Sequence, residues 1–139
     1  AVVGFGRTGA TLARMLDAMG AHVRVGVRES KDMARVYEMG MLPFHTDQLE
    51  LYVDDIDILF NTVPSSIITA GVIAQMMPET VIIDLASKPG GTDFRYAEKR
   101  GIKAILAPSL PGVVAPKTAG NILANILTRL IFEKSRKGE

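Results

Sequence analysis

The run Gly4-Phe5-Gly6-Arg7-Thr8-Gly9, almost at the start of the chain, constrains it more than any other feature. It is a G-x-G-x-x-G turn. Ala1-Val2-Val3 before it reads as the end of an apolar strand, and Ala10 to Met19 after it carries a helical pattern. A second apolar strand, His22 to Val27, follows. In that context Gly4 allows the tight turn, Gly6 lets the backbone approach a pyrophosphate, and Gly9 lets helix and strand pack closely. The free N–H groups and positive dipole end of the helix then hold the phosphate charge. Arg7 and Thr8 add donors, so Gly4, Phe5, Gly6, Arg7, Thr8 and Gly9 are all read as contacts to a dinucleotide.

Apolar strand-like runs alternate with helical stretches along the whole chain. The first helix carries Leu12, Met15, Leu16 and Met19 at helical spacing and stops at Gly20. A second helix, about Lys31 to Met39, stops at Gly40. Met41 to Phe44 is expected as a short third strand, and Asp47 as the cap of a short helix carrying Leu49, Leu51 and Tyr52. Ile56 to Asn61 is the fourth strand, and Ser65 or Ser66 caps a helix through Met77, before Pro78. Val81 to Leu85 is the fifth, apolar enough for a buried parallel sheet. Thr92 or Asp93 caps a helix to about Arg100, ended by Gly101, and Ile102 to Ala107 is the sixth strand. The last helix, about Lys117 to Glu133, presents Ile122, Ile126, Leu127, Leu130 and Ile131. The pattern predicts an α/β fold: a Rossmann-type, doubly wound parallel sheet of six strands with helices on both faces and order 3-2-1-4-5-6.

At 139 residues the length predicts one domain, large enough to bury a core without staples. The chain has no cysteine, which excludes disulfides, thiolate metal sites and a cysteine nucleophile. Its net charge of +1 argues against broad attraction to nucleic acid or anionic membrane. No apolar run has the length of a membrane span, and a signal peptide is not expected. A cytoplasmic protein is the expectation. The basic tail of Lys134, Arg136 and Lys137 reads as a solvated end. The first residue is not Met and the first strand begins part-way along, so a longer parent chain with an upstream substrate domain is expected.

The end of the second strand bears on which dinucleotide fits. An NAD site places an acidic residue there, about 20 residues after the glycines, to bond the ribose 2′-OH. Here that position falls at or near Val27, and Arg28 follows at once, with Ser30, Lys31 and Arg35 nearby. A missing carboxylate removes repulsion of a 2′-phosphate, and Arg28 can grip that phosphate bidentately, with Ser30 and Lys31 as further donors. The reading is NADP. The alternative is a solvated Arg28 and Lys31 with Glu29 serving the ribose, which restores NAD.

Three other loops follow strand ends, where such sheets hold ligands. Asn61-Thr62-Val63-Pro64 is read as packing near the nicotinamide ribose. Asp84-Leu85-Ala86-Ser87-Lys88-Pro89-Gly90-Gly91 contains a Pro-Gly-Gly turn that no helix demands. Ala86 is placed at the cofactor, and Ser87 and Lys88 are candidates to face the nicotinamide or the substrate. Pro108-Ser109-Leu110-Pro111-Gly112 leads to Pro116-Lys117-Thr118 at the start of the last helix. Pro111 is read as a cofactor contact and Lys117 as a candidate for a substrate carboxylate. His22 and His45 have no partner carboxylate or metal-like spacing in the sequence and are read as structural. The seven methionines read as packing.

These loops together carry a resemblance. Gly4-Phe5-Gly6-Arg7-Thr8-Gly9, His45-Thr46-Asp47, Asp57-Ile58, Asn61-Thr62, Pro64-Ser65, Asp84 to Phe94, Ala107 to Gly112 and Val114 to Gly120 resemble the dinucleotide domain of the dipicolinate synthase A-subunit family, over essentially the whole chain. The resemblance implies a sporulation enzyme in the mother-cell cytoplasm of endospore-forming bacteria. It implies NAD(P)-dependent oxidation of the cyclic dicarboxylate 4-hydroxy-tetrahydrodipicolinate to dipicolinate. It further implies an oligomer in partnership with a flavoprotein-like B-subunit. More distant resemblances run to D-2-hydroxyacid dehydrogenases, alanine dehydrogenase and adenosylhomocysteinase. The first family's catalytic Arg falls at about Ser87 here, and alanine dehydrogenase's loop acid falls at about Lys88. Two rivals therefore stand beside the lead: a hydroxyacid or amino-acid dehydrogenase, and a nucleotide-sensing domain without turnover. The two Pro-Gly loops count against the sensor, which needs only the nucleotide.

Overall fold

The computed structural model describes residues 1–136. The chain divides into two compact units, Ala1–Pro108 and a second beginning at Ser109.

The first unit is a single six-stranded sheet in the order β3-β2-β1-β4-β5-β6, with every pairing parallel. The strands are β1 Val2–Val3, β2 Arg24–Val27, β3 Leu42–His45, β4 Ile58–Asn61, β5 Val81–Asp84 and β6 Lys103–Leu106. This is the expected doubly wound sheet. Neighbouring residues of a strand point to opposite faces, and β1 shows it in two residues. Val2 joins Val25, Val27, Val36 and Ala13 in one buried cluster. Val3 joins Leu59, Ile82, Phe44, Ile73 and Ala97 in the other. The sheet is thus covered on both sides.

The helices of this unit are α1 Arg7–Ala18, α2 Ser30–Glu38, α3 Ala70–Ala74 and α4 Phe94–Arg100, with a 3-10 helix at Thr46–Leu51 between β3 and β4. Asp93 caps α4 by accepting from the Tyr96 N–H at 3.0 Å, and Gly101, left-handed at φ 74°, ends it. The third helix differs from expectation. It is short, and its cap is Thr69 rather than Ser65 or Ser66. The reason is long-range: the Ile67 and Ile68 N–H groups both donate to the Gly91 carbonyl, so this stretch is extended and cannot be helical.

Methionine packing holds only in part. Met41 and Met76 are buried and Met77 is exposed; Met15 and Met19 are exposed because α1 turns Gly9 and Ala13 toward the sheet. His45 also departs from expectation. It ends β3, and its Nδ1 lies 3.3 Å from Asp47 Oδ2. A carboxylate two residues away meets the ring because the chain turns there into the 3-10 helix.

The second unit contains α5 Leu110–Val114 and α6 Pro116–Arg136. Leu110–Val114 is a loop by its sequence, since Pro-Gly reads as a turn, yet it forms a helix. Proline is tolerated in a first helical turn, where its missing N–H is unneeded. Lys137 lies outside the described residues, as do the side chains of Leu130, Ile131, Lys134 and Arg136. Among the described residues no helix is long and apolar enough to cross a membrane.

Candidate functional site

The carboxyl ends of β1, β2 and β4 open onto a cleft of about 690 Å³. Its floor is the turn from Gly4 to Gly9. One rim is formed by Arg28, Glu29 and Asp32, with Thr46 beside them, and the other by Thr62 to Ser65 and Ile67. A second hollow of about 790 Å³ lies beneath the strand starts, at Arg24, Leu42 and Ile58. That is the opposite edge from the one where open α/β sheets present ligands.

The floor is built by close approach. Gly4 sits at φ 99°, where only glycine is unstrained, and a Cβ there would lie 2.9 Å from Val63 Cγ2. Its N–H donates to the Gly26 carbonyl at 2.9 Å, tying the turn to β2. A Cβ on Gly9 would overlap the Gly4 carbonyl oxygen. Gly6 is different. A Cβ there would meet nothing within 4 Å, so the space above it is open. Gly6 is the N-cap of α1 with no side-chain cap bond, and the first turn holds no acidic residue. An uncapped helix start without a carboxylate, and with Arg7 in its first turn, suits an anion. The residues present therefore fit a pyrophosphate.

The Arg28 rim separates the cations that the sequence placed together. Lys31 Nζ pairs with Glu29 Oε2 at 2.6 Å, a hydrogen bond that lowers the Glu29 pKa and raises that of Lys31. Arg35 pairs with Asp32 Oδ1 at 3.1 Å and lies 5.4 Å over the Phe5 ring. Arg28 and Arg7 line the cleft and make no ion pair among the described residues. Ser30 and Lys31 are exposed but do not line the cleft, while Glu29 and Asp32 do.

On the other rim Thr62, Val63 and Pro64 line the cleft, and Thr62 Oγ1 donates back to the Val3 carbonyl at 2.9 Å. Asn61 does not. It is fully buried, with its amide turned away from the cleft. Ala86 is 4% exposed and also lies off the cleft wall, because its N–H is drawn down onto Asp84 Oδ1 at 3.0 Å. Asn61 and Ala86 thus stand behind the residues that line the cleft, each bonded to Asp84. Ser87 and Lys88 are exposed on the loop after β5. Pro111 and Lys117 belong to the second unit, in α5 and in the first turn of α6.

Sequence reasoning missed Asp32, Thr46, Ser65 and Ile67 as cleft residues. Ser65 was legible as the residue after Pro64. Asp32 and Thr46 had no signal beyond following strand ends. Ile67 had none. Among the described residues no group of three or more acidic or histidine side chains is arranged to hold a metal ion.

Comparison with known proteins agrees with this fold. The chain is 62% identical to the dipicolinate synthase A-subunit of Bacillus subtilis over 133 residues, covering 96% of this chain and 45% of that protein. The crystal structure of the Bacillus subtilis A-subunit superposes with a TM-score of 0.94 at 60% identity, covering 98% of this chain and 46% of that one. The A-subunit structure from Bacillus halodurans gives 0.90 at 58%, covering 93% and 44%. The chain thus spans less than half the length of these relatives. With all of residues 1–139 matched, this chain belongs to the alanine dehydrogenase/PNT C-terminal domain family.

Proposed function

We propose that this chain is the dinucleotide-binding domain of a dipicolinate synthase A-subunit, an NADP-dependent oxidoreductase. The observation that carries the reading is the cleft itself. An open glycine floor lies between Arg28, which makes no ion pair among the described residues, and the rim of Thr62 to Pro64. The α1 start binds the pyrophosphate, with Arg7 and Thr8 as added donors. Arg28 binds the 2′-phosphate. Because β2 and β4 flank β1 on opposite sides, the nicotinamide half lies toward Val63 and Pro64.

When bound, the dinucleotide supplies the hydride chemistry, and the protein supplies binding and orientation. The substrate class is a cyclic dicarboxylate, 4-hydroxy-tetrahydrodipicolinate, in keeping with the relatives' name. In the first unit Lys88 is the candidate to attract a carboxylate of it, with Ser87 beside it; in the second unit Lys117 is a separate candidate. Pro111, within the second unit, is retained as a candidate cofactor contact. The domain belongs to a longer A-subunit. It acts in an oligomer with a B-subunit in the cytoplasm of the spore-forming mother cell.

A second reading has an observation of its own. Glu29 and Asp32 line the same rim as Arg28, and a carboxylate there bonds a free ribose 2′-OH, which is the NAD arrangement. Lys31 already holds Glu29, which favours NADP. Titration with NADPH and NADH, followed by nicotinamide fluorescence, decides between them. NADPH is expected to bind more tightly, and Arg28→Ala to weaken it by about 2 kcal/mol, near 30-fold, as for a charge-assisted bond lost. Equal affinities, or an Arg28→Ala variant that binds NADPH normally, refute the assignment.

A further inference from the structure

Asp84 ends β5, is fully buried, and forms no ion pair among the described residues. A buried carboxylate is costly unless its oxygens are hydrogen-bonded. Here four donors converge on it. Oδ2 accepts from Asn61 Nδ2 at 3.0 Å, from the Gly91 N–H at 2.8 Å and from Thr92 Oγ1 at 2.7 Å. Oδ1 accepts from the Ala86 N–H at 3.0 Å. An ionised carboxylate is an acceptor at both oxygens, so it can take all four at once, which an amide cannot.

What these donors hold is the cleft wall. Asn61 lies opposite Asp84 in the β4–β5 register. Its Nδ2 also donates to the Val63 carbonyl at 2.9 Å, and its Oδ1 accepts from the Val63 N–H at 3.0 Å. Gly91, held by Asp84 through its N–H, accepts from both Ile67 and Ile68 through its carbonyl, at 3.0 and 2.9 Å. It also lies so close under the wall that a Cβ would stand 2.5 Å from the Val63 carbonyl oxygen. Through Asn61 or Gly91, Asp84 is thus one residue from both Val63 and Ile67, the two ends of the β4-side wall.

We propose that Asp84 is a positioning residue which, acting through Asn61 and Gly91, sets the place of the Val63–Ile67 wall and so the fit of the nicotinamide half of the dinucleotide. The proposal rests on the dinucleotide reading of the cleft. It also accounts for the Gly90-Gly91 pair, since a side chain at 91 would displace the wall.

The test titrates NADPH and adenosine 2′,5′-bisphosphate, which lacks the nicotinamide half, by calorimetry against the wild type, Asp84→Asn, Thr92→Val and Thr92→Ser. Thr92→Val removes one of the four donors without touching the cleft, so it carries the test if Asp84→Asn does not fold. In variants whose circular dichroism and melting are cooperative, NADPH affinity is expected to fall about tenfold, while adenosine 2′,5′-bisphosphate affinity stays within about twofold. Thr92→Ser, which keeps the hydroxyl, is expected to restore NADPH binding. Unchanged NADPH affinity in folded Thr92→Val, or equal losses for both ligands, overturns the proposal. A wild type that binds neither ligand overturns the dinucleotide reading itself, and the proposal with it.

Discussion

Gly9 lies against Gly4 so closely that a Cβ on Gly9 would occupy the position of the Gly4 carbonyl oxygen. Two glycines five residues apart are thus one packing unit, and the helix can start only because neither carries a side chain. The middle glycine of the motif, Gly6, has no such neighbour, and this separates two substitutions that look alike in sequence.

Gly9→Ala is expected to destabilise the first unit by about 1–3 kcal/mol, because the obstacle is backbone that cannot rotate away. Gly6→Ala is expected to leave stability nearly unchanged, since its φ of −72° suits alanine and the space is open. It is expected to weaken NADPH binding by at least tenfold, because the new methyl group stands where the pyrophosphate approaches. Thermal melts and NADPH titration of the two variants check both halves.

Removing the α4 cap gives a stability change with no functional counterpart. Asp93→Ala loses the bond to the Tyr96 N–H and is expected to cost about 1 kcal/mol, lowering Tm by about 4 °C. Ser66→Ala, at a position where no cap bond exists, is expected to stay within about 0.5 kcal/mol of wild type. A melt of each variant is sufficient.

Acid sensitivity is expected at the other edge of the sheet. Arg24 grips Asp55 through Nη1 and Nη2, at 2.5 and 2.7 Å, and donates to the Tyr52 carbonyl at 3.2 Å. The hydrogen bond from Arg24 holds the Asp55 carboxyl below its ordinary value. A carboxyl whose folded pKa is depressed stabilises fully above its unfolded pKa, about 4, and loses that contribution as pH falls through the folded value. The Tm advantage of wild type over Asp55→Asn is therefore expected to be present near neutral pH and to shrink below about pH 4. Asp55 is exposed, so high salt is expected to reduce the same difference. A Tm difference that grows on acidification contradicts the assignment.

Lys88 distinguishes a substrate role from a solvated loop. It is exposed between Ser87 and Pro89, so Lys88→Ala is expected to change stability by less than about 0.5 kcal/mol. If the proposed function holds, the same change in the proposed complex with a B-subunit is expected to raise KM for the proposed cyclic dicarboxylate about tenfold, as for loss of one charge-assisted contact. Unchanged steady-state kinetics there remove Lys88 from the site.

The glycine turn, the alternation of strands and helices, and the caps at Asp93 and Gly101 were legible because each is a local matter. φ preference, periodicity and a side chain reaching three residues along can be read within one short window. The cleft position of Arg28 was legible for the same reason, as a cation directly after the end of the second strand. The third helix was not. Ser65 or Ser66 is the cap that the sequence suggests, yet the helix starts after Thr69, because Ile67 and Ile68 bond to Gly91, more than twenty positions away.

The sequence alone determined that this chain folds as a parallel α/β sheet around a dinucleotide turn, because that much follows from residue type and spacing. Tertiary structure decided which side chains face the cleft. Asn61 looks like a contact residue in the sequence, but the register of β4 on β5 sets it opposite a buried carboxylate and turns it inward. Glu29 and Lys31 look like independent charges, but α2 starts where they pair. Hydrogen bonds between residues distant in sequence overrule local expectation wherever a polar group must be buried, because an unpaired one costs more than any local preference returns.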